Sequence, residues 1–212
     1  MDITVNDYAC LCGSIGGRPR YSHSSRGLEF YTFPLEVERL SGYVDSLNIL
    51  VRREQLDRLA DIGLGKLWLE GELRSYNDRH GSGAKLVISV LAKSLAFCQE
   101  PFLNSVELRG TICKPPKLRS TPMGRDICDI MLAVNRRYGR SDYLPCICWG
   151  RKAREAAHWQ VGDRLELQGR IQSRRYIKMT EEGPLEKTAF EVSANSLERI
   201  SARLPESAAL CD

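Results

Sequence analysis

The stretch "YLPCICWGR", residues 143–151, alternates between two classes of side chain. Residues two apart on a strand share a face, so Leu144, Cys146 and Cys148 fall on one side and Tyr143, Pro145, Ile147 and Trp149 on the other. A free cysteine behaves as a small hydrophobe, which makes the first set the core-facing one. Two large aromatics are then left outside the core, and the second is followed by Gly150, Arg151 and Lys152.

The same pattern of residues occurs twice in the chain. A shift of 97 positions superposes Gly13 on Gly110, Ile15 on Ile112, Pro19 on Pro116, Leu35 on Leu132, Arg39 on Arg136, Gly42 on Gly139, Asp45 on Asp142 and Leu47 on Leu144. One further residue aligns "LEGELRS" (69–75) with "LQGRIQS" (167–173), and four more align "KLVISVLAKSL" (85–95) with "KTAFEVSANSL" (187–197). The length differences fall in turn-like sequence, where insertions are tolerated. Register kept across five apolar segments predicts two copies of one domain, residues 1–100 and 104–200, joined near "CQEPFLN" (98–104) and followed by a short tail, 201–212.

Each copy has the same order of elements. In the second, alternation near 105–113, 126–136, 143–149, 164–175 and 188–196 reads as strands. The one helical pattern there is "RKAREAAHW" (151–159), closed by Gly162, and the first copy repeats it with "RREQLDRLADIG" (52–63), ending at Gly63. Five short strands with one helix between the third and fourth is the order of an OB-fold, so the expectation is an all-β chain of two tandem five-stranded barrels. An SH3-like barrel competes, but it usually lacks that helix.

Charge separates the copies. Residues 1–103 hold 12 Lys and Arg against 13 Asp and Glu, whereas 104–212 hold 19 against 14. Within 109–178 there are 16 basic residues to 6 acidic. The cations are interleaved with aromatics: Arg136, Arg137, Tyr138, Arg140, Tyr143, Trp149, Arg151, Lys152, Arg174, Arg175, Tyr176 and Lys178, with Arg119 and Arg125 on the preceding loop. Cations track a phosphate backbone and flat rings stack on bases, the combination that holds single strands without reading sequence. Read alone, the charges are a solvated face and Trp149 is a core residue closing the barrel.

Other classes find little support. The eight cysteines (10, 12, 98, 113, 128, 146, 148 and 211) form no C-x-x-C pair, so their spacing gives neither a zinc framework nor a redox motif. "GLGK" (63–66) and "GSGAK" (81–85) lack the phosphate-loop pattern and read as a helix cap and a hairpin turn. His23, His80 and His158 stand apart from any serine or cysteine nucleophile, and no catalytic residue, metal ligand or cofactor site is expected. No apolar run approaches the roughly 18 residues that span a bilayer, and "MDITVNDYACLC" lacks the features of a signal peptide, so a cytoplasmic, nucleoid-associated protein is expected.

From about 104 to 200 the chain resembles the bacterial single-stranded DNA-binding protein family, with primosomal replication protein N a close neighbour. The features that carry the resemblance are "ELRGTI", "PPKLRSTPMGR" as the loop after the first strand, "LAVNR" (132–136), "YLPCICWGRKA" (143–153), "VGDRLELQGRIQSRRY" (161–176) and "EVSANSLERI". The resemblance implies that Tyr143, Trp149 and Tyr176 stack on DNA bases. It also implies a coat on unpaired DNA in replication, recombination or repair, a homodimer presenting four barrels, and contact with replication or repair proteins. In the first copy Ser46, Arg52 and Asp78 stand where the second has Tyr143, Trp149 and Tyr176. Tyr76 lies nearby, and Arg18, Arg20, Arg52, Arg53, Arg74 and Arg79 remain for phosphate, but the balanced charge points to packing, assembly or partner contact. The tail "SARLPESAALCD" lacks the acidic hydrophobic tip of many family members. The alternative function is a primosome-like protein-interaction module whose nucleic-acid contact is incidental.

Overall fold

A computed structural model describes residues 6–60, 65–78, 85–180 and 183–200, and the chain there is all-β apart from two short helices. The first half comprises β1 (Asp7–Ile15), β2 (Arg20–Ser25), β3 (Leu28–Glu38), β4 (Val44–Arg52), α1 (Arg53–Ala60), β5 (Lys66–Asp78) and β6 (Lys85–Cys98). The second comprises β7 (Leu103–Ser120), β8 (Asp126–Asn135), β9 (Ser141–Trp149), α2 (Gly150–Ala156), β10 (Arg164–Thr180) and β11 (Gly183–Ile200). The described part of α1 lies within the expected residues 52–63, and α2 stops at Ala156 rather than at residue 159. The expected end of α1 at Gly63, the "GSGAK" turn and the tail lie wholly or mostly outside the described residues.

Each half closes on itself. In the first, β1 pairs with β5, β5 with β6, β6 in parallel with β4, β4 with β3, and β3 returns to β1 through Ser14↔Glu36. The second repeats the circuit: β7 pairs with β10, β10 with β11, β11 in parallel with β9 at Val192↔Cys146, β9 with β8, and β8 with β7. The fully buried side chains Leu11, Leu35, Leu47 and Leu69 fill one interior, and Leu108, Leu132 and Leu144 fill the other. Closure requires the opening strand to pass tightly over its neighbour, and a glycine permits it in both halves. A Cβ on Gly13 would lie 2.6 Å from the Glu36 carbonyl oxygen, and one on Gly110 would lie 2.7 Å from that of Ala133.

The halves differ in how that strand continues. After Ile15 the first half breaks and restarts as β2, whereas β7 runs without interruption to Ser120, through residues the sequence reading gave to a loop. Its register against β8 shifts between Ile112 and Lys114 and again between Lys114 and Lys117. Pro115 and Pro116 occupy the second shift, where a missing backbone N–H costs no ladder bond.

Two devices join the halves. One is a seam of strands: β1 pairs antiparallel with β7 from Asp7↔Leu108 to Cys12↔Leu103. Because β1 and the start of β7 are equivalent stretches of the repeat, the seam has the character of an isologous contact made within one chain. The other is a reciprocal clasp. The buried Asp45 carboxylate takes Arg39 Nε and Nη2, both at 2.6 Å, and accepts the backbone N–H of Ser173 from the opposite half at 2.7 Å. The buried Asp142 carboxylate takes Arg136 Nε and Nη2 at 2.6 and 2.5 Å and accepts the Ser75 N–H at 2.5 Å. Residues that matched in sequence as Arg39/Arg136 and Asp45/Asp142 thus make the same contact in opposite directions.

Candidate nucleic-acid interface

The alternation in residues 143–151 holds for six of the seven side chains that decide it. Leu144, Cys146 and Cys148 are buried, Pro145 is half-buried, and Tyr143 and Trp149 are 52% and 41% exposed. Ile147 departs from the pattern: it is 3% exposed although it shares the outer face. It lies between Asp129 of β8 and Ser193 of β11, so neighbours on both sides cover it, and it stays outside the main core cluster.

Register assembles the outer face from four strands beyond β9's own. Trp149 stands opposite Ile127, Ile147 opposite Asp129 and Tyr143 opposite Ala133, and β7 adds Arg119 beside Ile127 and Lys117 beside Asp129. On β10, Ile171 and Ser173 point inward, which turns Arg170, Gln172, Arg174 and Tyr176 to the same outer face. Tyr176 is 37% exposed, with the Arg174 guanidinium 5.7 Å from its ring centre. The indole Nε1–H of Trp149 donates to Ser193 Oγ at 3.4 Å, which fixes one edge of the ring. Tyr138 is fully exposed at the tip of the β8–β9 turn, with φ of 80° followed by Gly139 at 76°. A tyrosine in the left-handed region is a strained placement, on the order of 1 kcal/mol or more.

The cations are held to different degrees. Arg119 pairs with Asp129 at 2.7 Å, Lys152 with Glu155 at 3.6 Å and Arg175 with Glu186 at 3.9 Å. Pairs this exposed contribute about 0–1 kcal/mol and exchange for a phosphate at little cost. Arg125, Arg137, Arg140 and Arg151 have no carboxylate partner among the described residues. Lys178 lies on β10 opposite Leu185, its side chain outside the described part. Arg136 departs from its expected role, because its guanidinium is taken up by Asp142 and the Ser75 carbonyl.

Some residues of this region were not foreseen. Gln172 and Glu191 are buried against each other on the outer face, the Gln172 amide donating to Glu191 Oε1 at 2.8 Å. Ser193 and Lys117 were also missed, since only cross-strand register brings them beside Ile147 and Asp129. The thiols of Cys12 and Cys98 approach to 3.3 Å, and burial pushes Cys12 up to about 12. Nothing in their spacing signalled that contact. Among the described residues no group of three His, Cys, Asp or Glu is placed to hold a metal ion, and no helix is long and apolar enough to cross a membrane.

Residues 103–200 match the Single-strand binding protein family. Among curated relatives, Single-stranded DNA-binding protein 2 of Listeria innocua is 36% identical over 81 residues, covering 35% of this chain and 51% of its own. The Single-stranded DNA-binding protein of Oceanobacillus iheyensis is 32% identical over 110 residues, covering 48% of this chain and 65% of its own. The chain thus spans between half and just under two thirds of these relatives. The crystal structure of the wild-type single-stranded DNA binding protein from Thermus aquaticus superposes with a TM-score of 0.74 at 23% identity, covering 92% of this chain and 93% of that one. That protein shares the fold of both halves, including the one the family match does not reach.

Proposed function

We propose that this chain binds single-stranded DNA without reading sequence and coats unpaired strands in replication, recombination or repair, with no catalytic step of its own. The observation that carries the reading is the outer face of the second half, where Tyr143, Trp149 and Tyr176 stand partly exposed among cations instead of filling the core. Aromatic rings beside a cationic groove supply stacking that every base satisfies and phosphate contacts that every nucleotide offers. The relatives reported above, each named a single-stranded DNA-binding protein, support the same ligand.

In this reading each closed circuit of strands is an OB-fold barrel with its helix between the third and fourth long strands, the domains being residues 1–100 and 104–200. Arg119, Arg125, Arg151, Lys152, Arg174, Arg175 and Lys178 provide the electrostatic contacts around the three stacking rings, and Arg137, Tyr138 and Arg140 on the β8–β9 turn meet the strand beyond them. Arg136 is assigned instead to the clasp. The protein works in the cytoplasm as a homodimer of four barrels, serving replication or repair enzymes.

The test is a titration of labelled oligo(dT) at several salt concentrations. Counterion release gives a slope of about −0.7 in log K against log salt for each phosphate neutralised on a single strand. A steep slope with strong preference over duplex is expected. Equal affinity for duplex, or a flat salt dependence, would overturn the proposal. Light scattering at micromolar concentration tests the dimer.

A further inference from the structure

A cleft lies between the two halves. It encloses about 940 Å³, and its walls come from α1 and its neighbourhood on one side and the β8–β9 turn on the other. Three of its cations are already occupied: Arg74 and Lys93 by Glu72, and Arg136 by Asp142. Arg26, Arg52 and Arg58 from the first half and Arg137 and Arg140 from the second are not held by any carboxylate of the described residues. The acids of the lining are mostly spent on the occupied cations, leaving Glu54 alone against five arginines.

We infer that this cleft is a second nucleic-acid site, one that grips the phosphates of a single strand and stacks almost none of its bases. Like-charged guanidinium groups converging without counter-charges cost energy, and a polyanion relieves it. A strand is favoured over a free phosphate by continuity. Arg137, Tyr138 and Arg140 belong to the turn that leads directly into Tyr143, whose backbone N–H donates to Ser75 Oγ of the first half at 2.7 Å. A strand leaving the aromatic face past Tyr143 therefore enters the cleft, with Tyr138 at its rim. Position 52 shows the division of labour, because Arg52 occupies in the first half the place Trp149 holds in the second. The first half is then a participant in binding and not only a scaffold. This inference rests on the function proposed above.

The experiment compares Arg52→Gln/Arg58→Gln with the unchanged chain on two oligo(dT) lengths, about 10 nucleotides, within the site size of one barrel, and about 35, long enough to leave it. The double variant is expected to make the salt slope shallower by about 1.4 on the long strand, two phosphates' worth, and to leave the short strand unaffected. Arg137→Gln/Arg140→Gln, on the opposite wall, is expected to produce the same change on the long strand, which guards against a folding defect in either variant. Unchanged slopes on the long strand in both variants, with Trp149→Ala still weakening both lengths, would overturn the cleft and leave the proposed function standing. If Trp149→Ala and both arginine variants all have no effect, the function itself falls. Tripolyphosphate carries the charge without the chain. Competition by it at concentrations that leave the short strand bound would assign the cleft to a free polyphosphate and overturn the strand path.

Discussion

Replacing Asp7 with asparagine is expected to stabilise the protein at alkaline pH and to bring no gain in acid. Burial pushes the Asp7 carboxyl from an ordinary 3.8 up to about 7, even though the Leu73 N–H and the Arg74 guanidinium favour its charged form. Between about pH 4 and 7 the folded chain therefore holds a proton that the unfolded chain has released, so stability falls as pH rises through that window. With roughly 1.4 kcal/mol for each pKa unit, the loss at pH 8 has a ceiling of about 4 kcal/mol. The equivalent place in the second half is Asn104, which accepts the Ile171 N–H at 3.0 Å and donates to the Ile171 carbonyl at 2.7 Å without any charge. Asp7→Asn can keep the bond from Leu73, now 2.9 Å long, but it loses the Arg74 contact at 3.4 Å. A net gain of about 1–2 kcal/mol at pH 8 follows, or a melting temperature higher by about 2–8 °C for a chain of this length. At pH 5 the gain should vanish or turn into a small loss. Thermal unfolding of both proteins at the two pH values decides the matter. A lower melting temperature at pH 8, or the same change at both, would refute the reasoning.

Other substitutions separate the clasp from the binding face. Asp142→Ala leaves Arg136 and the Ser75 N–H without their buried acceptor and is expected to cost about 3 kcal/mol, the low end for a broken buried pair because Arg136 can turn to solvent; urea unfolding reads it, and a change below about 1 kcal/mol would count against the clasp. Trp149→Ala should weaken oligo(dT) binding by about 1–3 kcal/mol while the melting temperature changes little, and the reverse pattern would make Trp149 a structural residue. Under a maleimide at pH 8, Cys98 is expected to label before Cys146, whose thiol is pushed up by burial, and peptide mapping of the timed reaction would show the order.

The fold was legible because closing a circuit of strands leaves marks in sequence. The alternation at 143–149 placed Leu144, Cys146 and Cys148 correctly, and the 97-residue shift matched Gly13 with Gly110, whose missing side chains serve the same close crossing. The clasp residues were matched too, yet Arg136 read as a phosphate contact. A conserved pattern within a chain shows that two places are equivalent, not which partner waits across space. Its partners are Asp142, six residues on, and Ser75, which comes from the other half. The continuation of β7 past Ile112 was hidden by Pro115 and Pro116, which read as a loop until the register shifts explain them. Arg26, Arg58 and Lys93 carry no signal of their own; only the docking of the halves brings them to one cleft.

The strand seam between β1 and β7 has a consequence for how this molecule can change over time. Built from two separate identical chains, such a seam would come apart on dilution and would show every replaced residue twice. Here residues 99–102 tether its two sides, giving an effective concentration on the order of millimolar however dilute the protein becomes. The tether also releases the two sides from sharing a sequence. Arginine at 52 and tryptophan at 149 are a pair that no symmetric assembly of one short chain could hold, and each half is free to drift toward a different task while the seam between them stays shut.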